Sequence, residues 1–517
     1  MTARMDAAHG PTMIDQWDAR TRQMSRRRFL TAAAATGTAA ALGPTLWRQT
    51  WAVEVAPPAD AHVAVGGDAA REMVVSWRTP GTAPVGNAQT FRYRPSGGSD
   101  WVDGVDGDIE ERTVDGAASV YSHVQLSGLA PDQDYEYEVL HQGVPVLAHT
   151  IRTAPRPDDL TSFTFTAFGD QGVDAVKVPA VNDAVIAQQP AFHFHVGDLC
   201  YAYRVGIGAP AAPLEPAFDP IAAGQLDQRI WDTWLGLISR PRGGAGPVGA
   251  AAIPWMATIG NHEMEPTLGP MGYRGATGRM WFPPNGVPTA AGGGLLHDRD
   301  RVTYSFDYGN VRVIALDGND ANYEIPGNQG YLGARQDEWL AEQLAAARAP
   351  ESSIDFIVVG CHQCSYCTNL LHGSDEGLRT RWDQLFRDYQ VDLVINGHNH
   401  SYERAHPFHS DILDPAAQRL PSGSTVTPAA GPVYITAGAS GNERVELSGY
   451  EAAMASYRTV EGGVRVPEVA HWSAARDLGP SSFIAVEVAS SDDGSTMTIR
   501  AIRSGEADPF DTITIAR

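Results

Sequence analysis

The chain has 517 residues, more than one hydrophobic core usually holds, so we expect two folded domains with additional segments. Its 38 lysine and arginine residues against 61 aspartate and glutamate residues give a formal net charge of -23. This charge argues against attraction to nucleic acids or anionic membrane surfaces, so polyanionic partners are not expected. A small phosphate-bearing substrate is still compatible with it, because bound metal cations can dominate the local field.

The first element predicted along the chain is an export signal. Residues Ser25–Leu30 read SRRRFL and are followed by small and apolar residues from Thr31 to Leu46. Arginines before such a stretch are typical of a twin-arginine signal, whereas a helix of the folded domain would show an amphipathic period, and none is present. The apolar stretch is shorter than the roughly 20 residues that span a bilayer. We therefore predict a signal region at residues 1–52, transient contact with the twin-arginine export machinery, no stable membrane insertion, and a periplasmic or extracellular protein.

Residues 58–155 form the first predicted domain. Short runs with period-two alternation, MVVSW, TFRYR and YEYEVL, are separated by turn residues, which predicts an all-β sandwich. The segment Leu129–Tyr137 is similar to the tyrosine-corner segment of fibronectin type III modules. The proline-rich segment Ala154–Pro157 then predicts a linker.

Residues 160–517 form the second predicted domain, in which apolar strands alternate with helical segments. This alternation predicts an α/β architecture. Helices are predicted at Ala334–Ala349 and Glu376–Tyr389, and the last three strands, SFIAVEV, TMTIRAI and DTITI, are expected to extend or edge the sheet. Surface loops are predicted at Gly206–Pro220 and Arg240–Pro254. Five strands each end at a polar motif: SFTFTAF, FHFHV, PWMATI, DFIVVG and DLVIN.

The five polar motifs supply carboxylate, amide, phenol and imidazole groups. A single aspartate after a glycine is more often part of a turn, and a single histidine at a strand end is more often structural, but five such motifs at strand ends indicate a common site. Two cations about 4 Å apart need a bridging anion, which a short carboxylate such as that of Asp198 can supply. The candidate metal ligands are Asp170, Asp198, Tyr201, Asn261, His362, His398 and His400.

The motifs DQG, GDLCY, GNHE, VGCH and GHNH resemble those of the calcineurin-like metallophosphoesterases and, more specifically, of the purple acid phosphatases. The resemblance spans Ser162 to the C-terminus. The tyrosine of GDLCY is its specific element, because the wider superfamily lacks this phenolate ligand. The preceding β-sandwich resembles the N-terminal domain of the larger, plant-type members. The resemblance implies an α/β (α+β) catalytic domain built as a two-sheet sandwich flanked by helices, preceded by an all-β fibronectin- or immunoglobulin-like domain.

The resemblance also implies how the ligands divide between two metal ions. One ion would take Asp170, Asp198, Tyr201 and His400, and the other would take Asp198, Asn261, His362 and His398. The first set contains three anionic oxygen donors, whereas the second contains one shared carboxylate, a neutral amide and two imidazoles. Because hard anionic ligands favour a hard, highly charged ion, we expect ferric iron in the first position and a divalent ion, zinc, manganese or ferrous iron, in the second.

Acid phosphatase activity on small phosphate monoesters is the function that the resemblance implies. A metal-activated hydroxide would attack phosphorus, and the leaving alkoxide would need a proton donor. His262, in GNHE, and His372, ten residues after His362, are similar in position to the family's substrate-contacting histidines. Two alternatives are a phosphodiesterase or nucleotidase with the same metal cage and a non-catalytic secreted binding protein, which the intact ligand set disfavours.

Two departures from the family pattern lie in the loop around His372. Leu371 precedes His372 where many members carry a histidine pair, and Gln363 follows His362 where many members carry a proline. Both changes fall in the segment that would face the substrate. Substrate preference is therefore the property that transfers least from the family to this chain.

Two further pairs of polar residues have structural as well as functional explanations. His193 and His195 alternate with phenylalanines on a predicted strand, which favours a structural role, although His195 could support a ligand. Glu403 and Arg404 follow the last motif and could support its loop or form a surface ion pair.

All four cysteines lie beside predicted ligands. Cys361, Cys364 and Cys367 surround His362, and Cys200 lies in GDLCY. A zinc ribbon needs a second spaced pair, which the single Cys200 does not supply. Because an exported protein enters an oxidising compartment, we expect one or two disulfides that brace the ligand loops, with the pairing left open.

Overall fold

The described part of the chain starts at Val55. The computed structural model describes residues 55–103, 109–114, 117–202, 227–239, 249–264, 273–287, 302–325, 329–369, 372–405, 420–441, 455–470, 472–479 and 481–517. The predicted signal region, the loop predicted at Gly206–Pro220 and residues 240–248 of the second predicted loop lie outside these residues. Among the helices described, none is long and apolar enough to cross a membrane.

An all-β sandwich forms the N-terminal part of the described chain. Its strands are β1 (Ala59–Val65), β2 (Met73–Pro80), β3 (Gln89–Pro95), β4 (Val102–Asp103), β5 (Glu110–Thr113), β6 (Ser119–Leu126), β7 (Asp134–His141) and β8 (Val144–Arg152). They form two antiparallel sheets with the strand orders β1-β2-β6-β5 and β4-β3-β7-β8. Trp77 of one sheet stacks on Phe91 of the other, with ring centroids 6.2 Å apart. The Tyr135 hydroxyl accepts a hydrogen bond from the Ala130 N–H at 2.8 Å, as in a tyrosine corner. The prediction of an all-β N-terminal domain is confirmed.

Within the described residues, seventeen strands, β9 to β25, make up the sheets of the second part. They are β9 (Ser162–Phe168), β10 (His193–Val196), β11 (Trp255–Thr258), β12 (Tyr304–Tyr308), β13 (Val311–Ala315), β14 (Phe356–Gly360), β15 (Ser374–Asp375), β16 (Leu393–Asn396), β17 (Tyr402–Ala405), β18 (Ser424–Val426), β19 (Val433–Ala437), β20 (Ala455–Val460), β21 (Val464–Val469), β22 (Ser473–Asp477), β23 (Ser482–Ser491), β24 (Gly494–Arg503) and β25 (Asp511–Ala516).

Sheet 1 has the strand order β11-β10-β9-β23-β24-β25-β18. Strands β9, β10 and β11 run parallel, and β23 pairs antiparallel with β9, for example Val486 opposite Phe165. The C-terminal strands were expected to extend or edge the sheet. They extend it from its centre, because β23 lies directly beside the first strand of the domain.

Sheet 2 has the strand order β12-β13-β14-β16-β19-β17-β22. Strands β13, β14, β16 and β19 run parallel to one another. The hairpin of β20 and β21 belongs to a separate three-stranded sheet, in which β15 pairs with β20.

Helices flank these sheets. They are α1 (Lys177–Ile186), α2 (Arg229–Ser239), α3 (Arg274–Thr277), α4 (Arg335–Ala347), α5 (Glu376–Leu378) and α6 (Gln384–Asp388), with a π-helical turn at Arg379–Asp383 and 3₁₀ turns at Gly86–Ala88, Asn261–Glu263, Gly318–Asp320 and Pro428–Ala430. Helix α4 buries Trp339, Leu340 and Leu344 in one hydrophobic cluster with Ile314 and Ile357 of sheet 2. The apolar face of this helix therefore covers one face of sheet 2.

Two helices were predicted in this part of the chain. The helix predicted at Ala334–Ala349 corresponds to α4. The segment predicted as one helix at Glu376–Tyr389 consists of α5, the π-helical turn and α6. In that turn Arg379 forms a buried ion pair with Glu468, with 2.7 Å between Nη1 and Oε1.

Sheets 1 and 2 pack face to face through aromatic side chains. Phe192, just before β10, has its ring centroid 4.9 Å from that of Phe165 in sheet 1 and 5.3 Å from that of Phe306 in sheet 2. Because such parallel strands are covered on both faces, they are nearly continuous apolar runs, as in the fully buried FIVVG of β14. The predicted two-sheet sandwich flanked by helices is confirmed.

The N-terminal sandwich packs directly against the second part. The Tyr121 hydroxyl donates to Oδ1 of Asp232 in α2 at 2.5 Å, and the Tyr137 hydroxyl donates to the Ala251 carbonyl at 2.7 Å. Buried residues of both parts belong to one continuous hydrophobic cluster, and β1 contacts β11. The sandwich therefore supports β11, the strand whose end carries Asn261.

Candidate metal centre

Parallel strands of both sheets end at one place, and the seven predicted ligands follow those ends. In chain order, the residues after β9, β10, β11, β14 and β16 are Asp170, Asp198 with Tyr201, Asn261, His362, and His398 with His400. The two sheets are joined here, because the N–H of His398 donates to Oδ2 of Asp170 at 2.8 Å. Residues that are 228 positions apart in the chain thus share one site.

Asp170, Tyr201 and His400 form one contact group. The Tyr201 hydroxyl donates to Oδ1 of Asp170 at 3.0 Å and lies 3.1 Å from Nε2 of His400. That imidazole nitrogen is itself 3.4 Å from Oδ1 of Asp170. A phenol oxygen, a carboxylate oxygen and an imidazole nitrogen therefore converge, and all three belong to the set predicted for the first ion.

Asp198, His362 and His398 form a second contact group. One ligand atom of each lies within 4.8 Å of those of the other two. Nε2 of His362 is 3.2 Å from Oδ2 of Asp198 and 3.9 Å from Oδ1 of Asp170. The two groups are therefore adjacent, with His362 lying between Asp198 and Asp170.

Asn261 is carried by a loop that approaches Asp198 closely. Its side chain is buried, and the N–H of the next residue, His262, donates to Oδ1 of Asp198 at 2.9 Å. A Cβ at Gly260 would overlap that same carboxylate oxygen. Glycine is therefore required at this position of the GN motif for steric reasons, because any side chain there would displace the predicted ligand Asp198.

Four of the predicted ligands have a left-handed backbone. The φ angles are 61° at Asp170, 51° at Asp198, 53° at Tyr201 and 65° at His398. This conformation costs a residue with a Cβ on the order of 1 kcal/mol or more and is concentrated at functional sites. Each of the four lies just beyond a strand end, so the strain belongs to the turn that directs the ligand.

The buried carboxylates favour positive charge within the site. Burial opposes ionisation of Asp198, but the imidazoles of His362 and His262 lower its pKa. Burial likewise opposes protonation of His362, but the carboxylates of Asp198 and Asp170 raise its pKa to about 10. Such a site gains from any bound cation, whether a proton on His362 or a metal ion that replaces it.

The imidazoles are also held as metal ligands usually are. Nδ1 of His362 donates to the Val196 carbonyl at 2.8 Å, which directs the buried Nε2 at the carboxylates of Asp198 and Asp170. Nε2 of His398 is bonded to Glu324, which leaves Nδ1 for a cation. Burial and the neighbouring His372 lower the pKa of His398 to about 4, so its imidazole is neutral. These donors fit a pair of metal ions.

Glu263, to which the sequence assigned no role, connects two ligand loops. Its carboxylate accepts hydrogen bonds from the N–H groups of Asp198 at 2.9 Å, Leu199 at 2.8 Å and Gly260 at 2.8 Å. Burial and then the charge of Asp198 raise the pKa of Glu263 to about 8, while the backbone donors oppose this shift. Its place in GNHE is the sequence signal that could have identified it.

Gln363 and Asn319 form a second support. Nε2 of Gln363 donates to Oδ1 of Asn319 at 2.7 Å, and Nδ2 of Asn319 donates to the Gly260 carbonyl at 3.1 Å. This chain of hydrogen bonds joins the loop of His362 to the loop of Asn261. The glutamine that stands where many family members carry a proline therefore links the two sheets beside the ligands.

The predicted substrate-contacting histidines both touch predicted ligands. The His262 ring packs on that of Tyr201, with centroids 4.4 Å apart, and its Nε2 lies 3.9 Å from Oδ2 of Asp198. Burial lowers the pKa of His262. The His372 ring packs on that of His398, with centroids 3.9 Å apart. Their side chains are 16% and 9% exposed, so both can be reached by a small ligand.

Glu324 is a member of the site that sequence reasoning missed. Its carboxylate lies 2.8 Å from Nδ1 of His372 and 2.6 Å from Nε2 of His398. Burial opposes its charge, but the two imidazoles lower the pKa of Glu324 below its usual range. The surrounding sequence, GNDANYEIPG, contains no motif that would have indicated this contact.

His193 and His195 are buried on β10. Nδ1 of His193 lies 3.0 Å from Oγ1 of Thr166, and the His195 ring packs edge-on against Phe168, with centroids 5.0 Å apart. Burial lowers the pKa of both histidines, that of His195 to about 3, so both imidazoles are neutral. Their packing agrees with a structural role.

Glu403 and Arg404 do not form a surface ion pair. Glu403 is buried and accepts hydrogen bonds from the Thr368 N–H at 2.7 Å and from the Ser473 hydroxyl. Arg404 is paired with buried Asp511, with 2.7 Å between Nε and Oδ2. Glu403 thus anchors the end of the VGCH loop, and Arg404 anchors the C-terminal strand.

The expected disulfides are not formed. All four cysteines lie within the described residues, where each is buried and none is joined to another in a disulfide. Sγ of Cys361 accepts a hydrogen bond from Nδ2 of Asn396 at 3.1 Å, and the thiol of Cys364 donates to the Gly397 carbonyl at 2.9 Å. Cys200 and Cys361 belong to different hydrophobic clusters. The thiols therefore act as packing groups with local polar partners, and the prediction of disulfides bracing the ligand loops is wrong.

Two protein-family models match the chain. The family described as Calcineurin-like phosphoesterase matches residues 163–402, and the Purple acid Phosphatase, N-terminal domain matches residues 58–153. An uncharacterized protein of Mycobacterium tuberculosis is 31% identical in an alignment that covers 95% of this chain and 94% of that protein. Purple acid phosphatase 23 of Arabidopsis thaliana is 28% identical over 338 residues, which cover 64% of each chain.

Solved structures share the fold as well. The purple acid phosphatase PPD1 from yellow lupin (Lupinus luteus) seeds is similar with a TM-score of 0.65, which covers 89% of this chain and 74% of that chain at 19% identity. The structure of PhoD is similar with a TM-score of 0.56, which covers 85% of both chains at 15% identity. At these identities the likeness concerns the fold alone.

Proposed function

We propose that this chain, which belongs to the purple acid phosphatase family of calcineurin-like phosphoesterases, hydrolyses small phosphate monoesters outside the cytoplasm with ferric iron and a divalent ion as its metals. Membership of this family makes the chain a metal-dependent phosphoester hydrolase with a binuclear centre. The monoester preference, the identity of the ions and the export are our proposals.

The position of Tyr201 is the observation that carries the proposal. Its hydroxyl is within 3.0 Å of Oδ1 of Asp170 and 3.1 Å of Nε2 of His400. A phenolate beside two carboxylates makes a hard, strongly anionic donor set, which favours a trivalent ion. The remaining donors, an amide and two imidazoles with the shared Asp198, carry less charge and suit a divalent ion.

The side chains divide between holding the ions and handling the substrate. Asp170, Asp198, Tyr201 and His400 would hold the first ion, and Asp198, Asn261, His362 and His398 would hold the second. When bound, such ions lower the pKa of water and polarise a phosphoryl oxygen. The buried supports Glu263 and Glu403 keep the ligand loops in place, so little reorganisation is needed when the substrate enters.

His262 and His372 are the groups that would act on the phosphate ester. Nδ1 of His372 is occupied by Glu324, so Nε2 is the nitrogen from which it can give a proton to the leaving oxygen. His262 lies over the Tyr201 ring beside Asp198 and can donate a hydrogen bond to a phosphoryl oxygen. Both roles need the imidazole to carry a proton on the nitrogen that faces the substrate.

Export is supported by the arginine-rich segment Ser25–Leu30. The twin-arginine route carries proteins that are already folded, so the ions would be inserted before the protein leaves the cytoplasm. Replacing Arg26 and Arg27 with lysine is expected to keep the protein in the cytoplasmic fraction. Unchanged export of that variant would contradict this part of the proposal.

Metal analysis combined with a visible spectrum tests the metal assignment. We expect one iron and one other transition-metal ion per chain and a broad absorption band from a ferric-tyrosinate bond. We also expect a higher kcat/KM for p-nitrophenyl phosphate than for bis(p-nitrophenyl) phosphate. A colourless native protein with two divalent ions would overturn the ferric assignment, and a preference for the diester would overturn the monoester assignment in favour of a phosphodiesterase.

A further inference from the structure

We infer that Glu324 is a positioning residue that holds the predicted ligand His398 and the predicted proton donor His372 in one hydrogen-bonded unit. The inference rests on the function proposed above for the role of His372. Glu324 lies outside all five motifs and is 74 residues from His398 and 48 residues from His372 in the chain.

The geometry of Glu324 is that of a shared acceptor. Oε1 lies 2.8 Å from Nδ1 of His372, and Oε2 lies 2.6 Å from Nε2 of His398. A carboxylate accepts hydrogen bonds, so each imidazole donates from the nitrogen that faces it. The two rings pack together with centroids 3.9 Å apart, and the Glu324 side chain is 10% exposed. Each oxygen thus fixes one ring.

Glu324 is itself fixed by the segment that follows His372. Oδ2 of Asp375 accepts hydrogen bonds from the N–H groups of Tyr323 at 2.9 Å and Glu324 at 3.1 Å. The one cation that the described residues place near its carboxylate is Arg465, with Nη2 4.0 Å from Oε1 and a side chain that is 37% exposed. The carboxylate is therefore anchored through its backbone and directed at the two histidines.

Two chemical consequences follow from this arrangement. A proton on Nε2 of His398 leaves the lone pair on Nδ1, and a carboxylate behind a ligand imidazole fixes its orientation and raises its basicity as a donor. A proton on Nδ1 of His372 leaves Nε2 as the nitrogen that exchanges a proton with the substrate. A single carboxylate thus sets both the affinity of His398 for the second ion and the nitrogen with which His372 faces the substrate.

Glu324→Gln tests the inference, with Glu376→Gln as the matched control. The amide keeps the size of Glu324 but presents only one acceptor oxygen to two imidazoles. Glu376 lies in the same region, pairs with Arg458 at 3.1 Å, is 35% exposed and forms no hydrogen bond or ion pair with a histidine of the described residues. The metal-stripped proteins are titrated with Zn²⁺, and the loaded proteins are assayed with p-nitrophenyl phosphate and with glycerol 2-phosphate, whose leaving group is much poorer.

We expect E324Q to bind the second Zn²⁺ ion about 10 to 100 times more weakly than the native chain. We also expect its kcat to fall at least about tenfold more with glycerol 2-phosphate than with p-nitrophenyl phosphate, because a poor leaving group depends on protonation. A change of KM alone, with native Zn²⁺ affinity and native leaving-group dependence of kcat, would count against the inference. Glu376→Gln should match the native protein, and Glu324→Asp, which keeps both acceptor oxygens, should recover part of each loss.

Two results would overturn the inference. One is an E324Q variant that folds with native Zn²⁺ affinity and native leaving-group dependence. The other is a third Zn²⁺ ion in the native chain that E324Q loses, because Glu324 would then be a metal ligand with both histidines. If the native chain binds two ions but hydrolyses no phosphoester, the proposed function fails, while weaker Zn²⁺ binding by E324Q still supports the assignment of Glu324.

Discussion

Oδ2 of Asp198 lies 3.2 Å from Nε2 of His362, and the two residues come from loops of different sheets. The contact closes the ligand end of the sandwich, where Asp170 is also buried next to His362. Two buried carboxylates beside the same imidazole nitrogen favour a cation between them. Metal ions at this position would therefore join sheet 1 to sheet 2.

Removal of the metals should lower the stability of the whole domain. Dialysis against a chelator is expected to abolish phosphatase activity and to lower Tm, because an ion present at about 1,000 times its Kd contributes about 4 kcal/mol to the folded protein. Tm is measured by calorimetry before dialysis, after dialysis and after the ions are restored. An unchanged Tm in fully stripped protein would contradict a role for the ions in joining the sheets.

Tyr201→Phe should remove the visible absorption and weaken iron binding. The phenol makes contacts of 3.0 Å with Asp170 and 3.1 Å with His400, but the ring itself can stay packed on His262. We therefore expect a loss of stability below about 1.5 kcal/mol, as for other single hydrogen bonds. The spectrum, the iron content and thermal unfolding are compared with those of Tyr93→Phe, a change in the N-terminal sandwich that should leave the colour intact.

Gly260→Ala should impair the site through a steric clash. A Cβ at this position would overlap Oδ1 of Asp198, so the loop carrying Asn261 must move. We expect a loss of stability of about 1–3 kcal/mol. Activity should fall at least about tenfold, since a displacement near 1 Å is costly for catalysis.

Gly236→Ala in α2 is the matched control for Gly260→Ala. The nearest atom to a Cβ there, Oδ1 of Asp60, is 3.6 Å away, which is an ordinary contact. Alanine favours the helix by up to about 1 kcal/mol over glycine, so this variant should be neutral or more stable. Equal behaviour of the two variants in denaturant unfolding and activity assays would contradict the proposed clash.

Glu263→Gln should loosen two ligand loops. The glutamate accepts three backbone N–H groups, and an amide nitrogen in place of one oxygen leaves a buried donor facing another donor, at a cost of about 1–3 kcal/mol. We also expect weaker Zn²⁺ binding. Glu72→Gln, which affects a similar turn in the N-terminal sandwich, should cost stability without changing metal affinity. Native metal affinity in Glu263→Gln would show that the loops are held by other contacts.

His62→Gln should make the protein less sensitive to acid. Burial lowers the pKa of His62 from its usual 6.5 to about 4, and its Nε2 lies 3.0 Å from the Arg279 carbonyl. The unfolded chain therefore takes up a proton at His62 before the folded protein does, so stability falls as the pH drops from about 6.5 to about 4, by about 3 kcal/mol in total.

Glutamine at position 62 can keep the hydrogen bond to Arg279 but does not titrate. The free energy of unfolding of this variant should equal that of the native chain within about 1 kcal/mol at pH 7.5 and should decline less steeply below pH 6.5. Denaturant unfolding at a series of pH values measures both slopes. Parallel pH profiles for the two proteins would show that His62 is already protonated when folded.

The predicted ligands could be identified from the sequence because they stand in short motifs. Asp198 and Tyr201 stand in one loop, and His398 and His400 in another, each directly after a buried apolar strand. Because parallel strands of a sheet end on the same side, such residues are close in space once the strands are recognised. The all-β first domain could be predicted because the period-two alternation of its strands is a local property, whereas the two-sheet sandwich was implied by the resemblance of the motifs to a known family.

Contacts between residues that are distant in the sequence could not be predicted from local patterns. Gln363 could be identified as a departure from the family, but its bond to Asn319 depends on how two loops meet. The disulfide prediction rested on compartment and cysteine count, whereas the local hydrogen-bond partners of Cys361 and Cys364 depend on the tertiary structure. The central place of β23 beside β9 likewise depends on pairing across more than 300 residues.

The sequence by itself predicted the metal-binding chemistry, because seven donor groups follow the ends of strands whose apolar character is unambiguous. Only the tertiary structure decided which groups hold those donors. Glu324 acquires its role from two histidines that lie 48 and 74 residues further along the chain, and Glu263 acquires its role from N–H groups on a neighbouring strand end. A hydrogen bond between distant segments leaves no periodicity and no motif in the sequence. It can therefore be identified only in the folded structure.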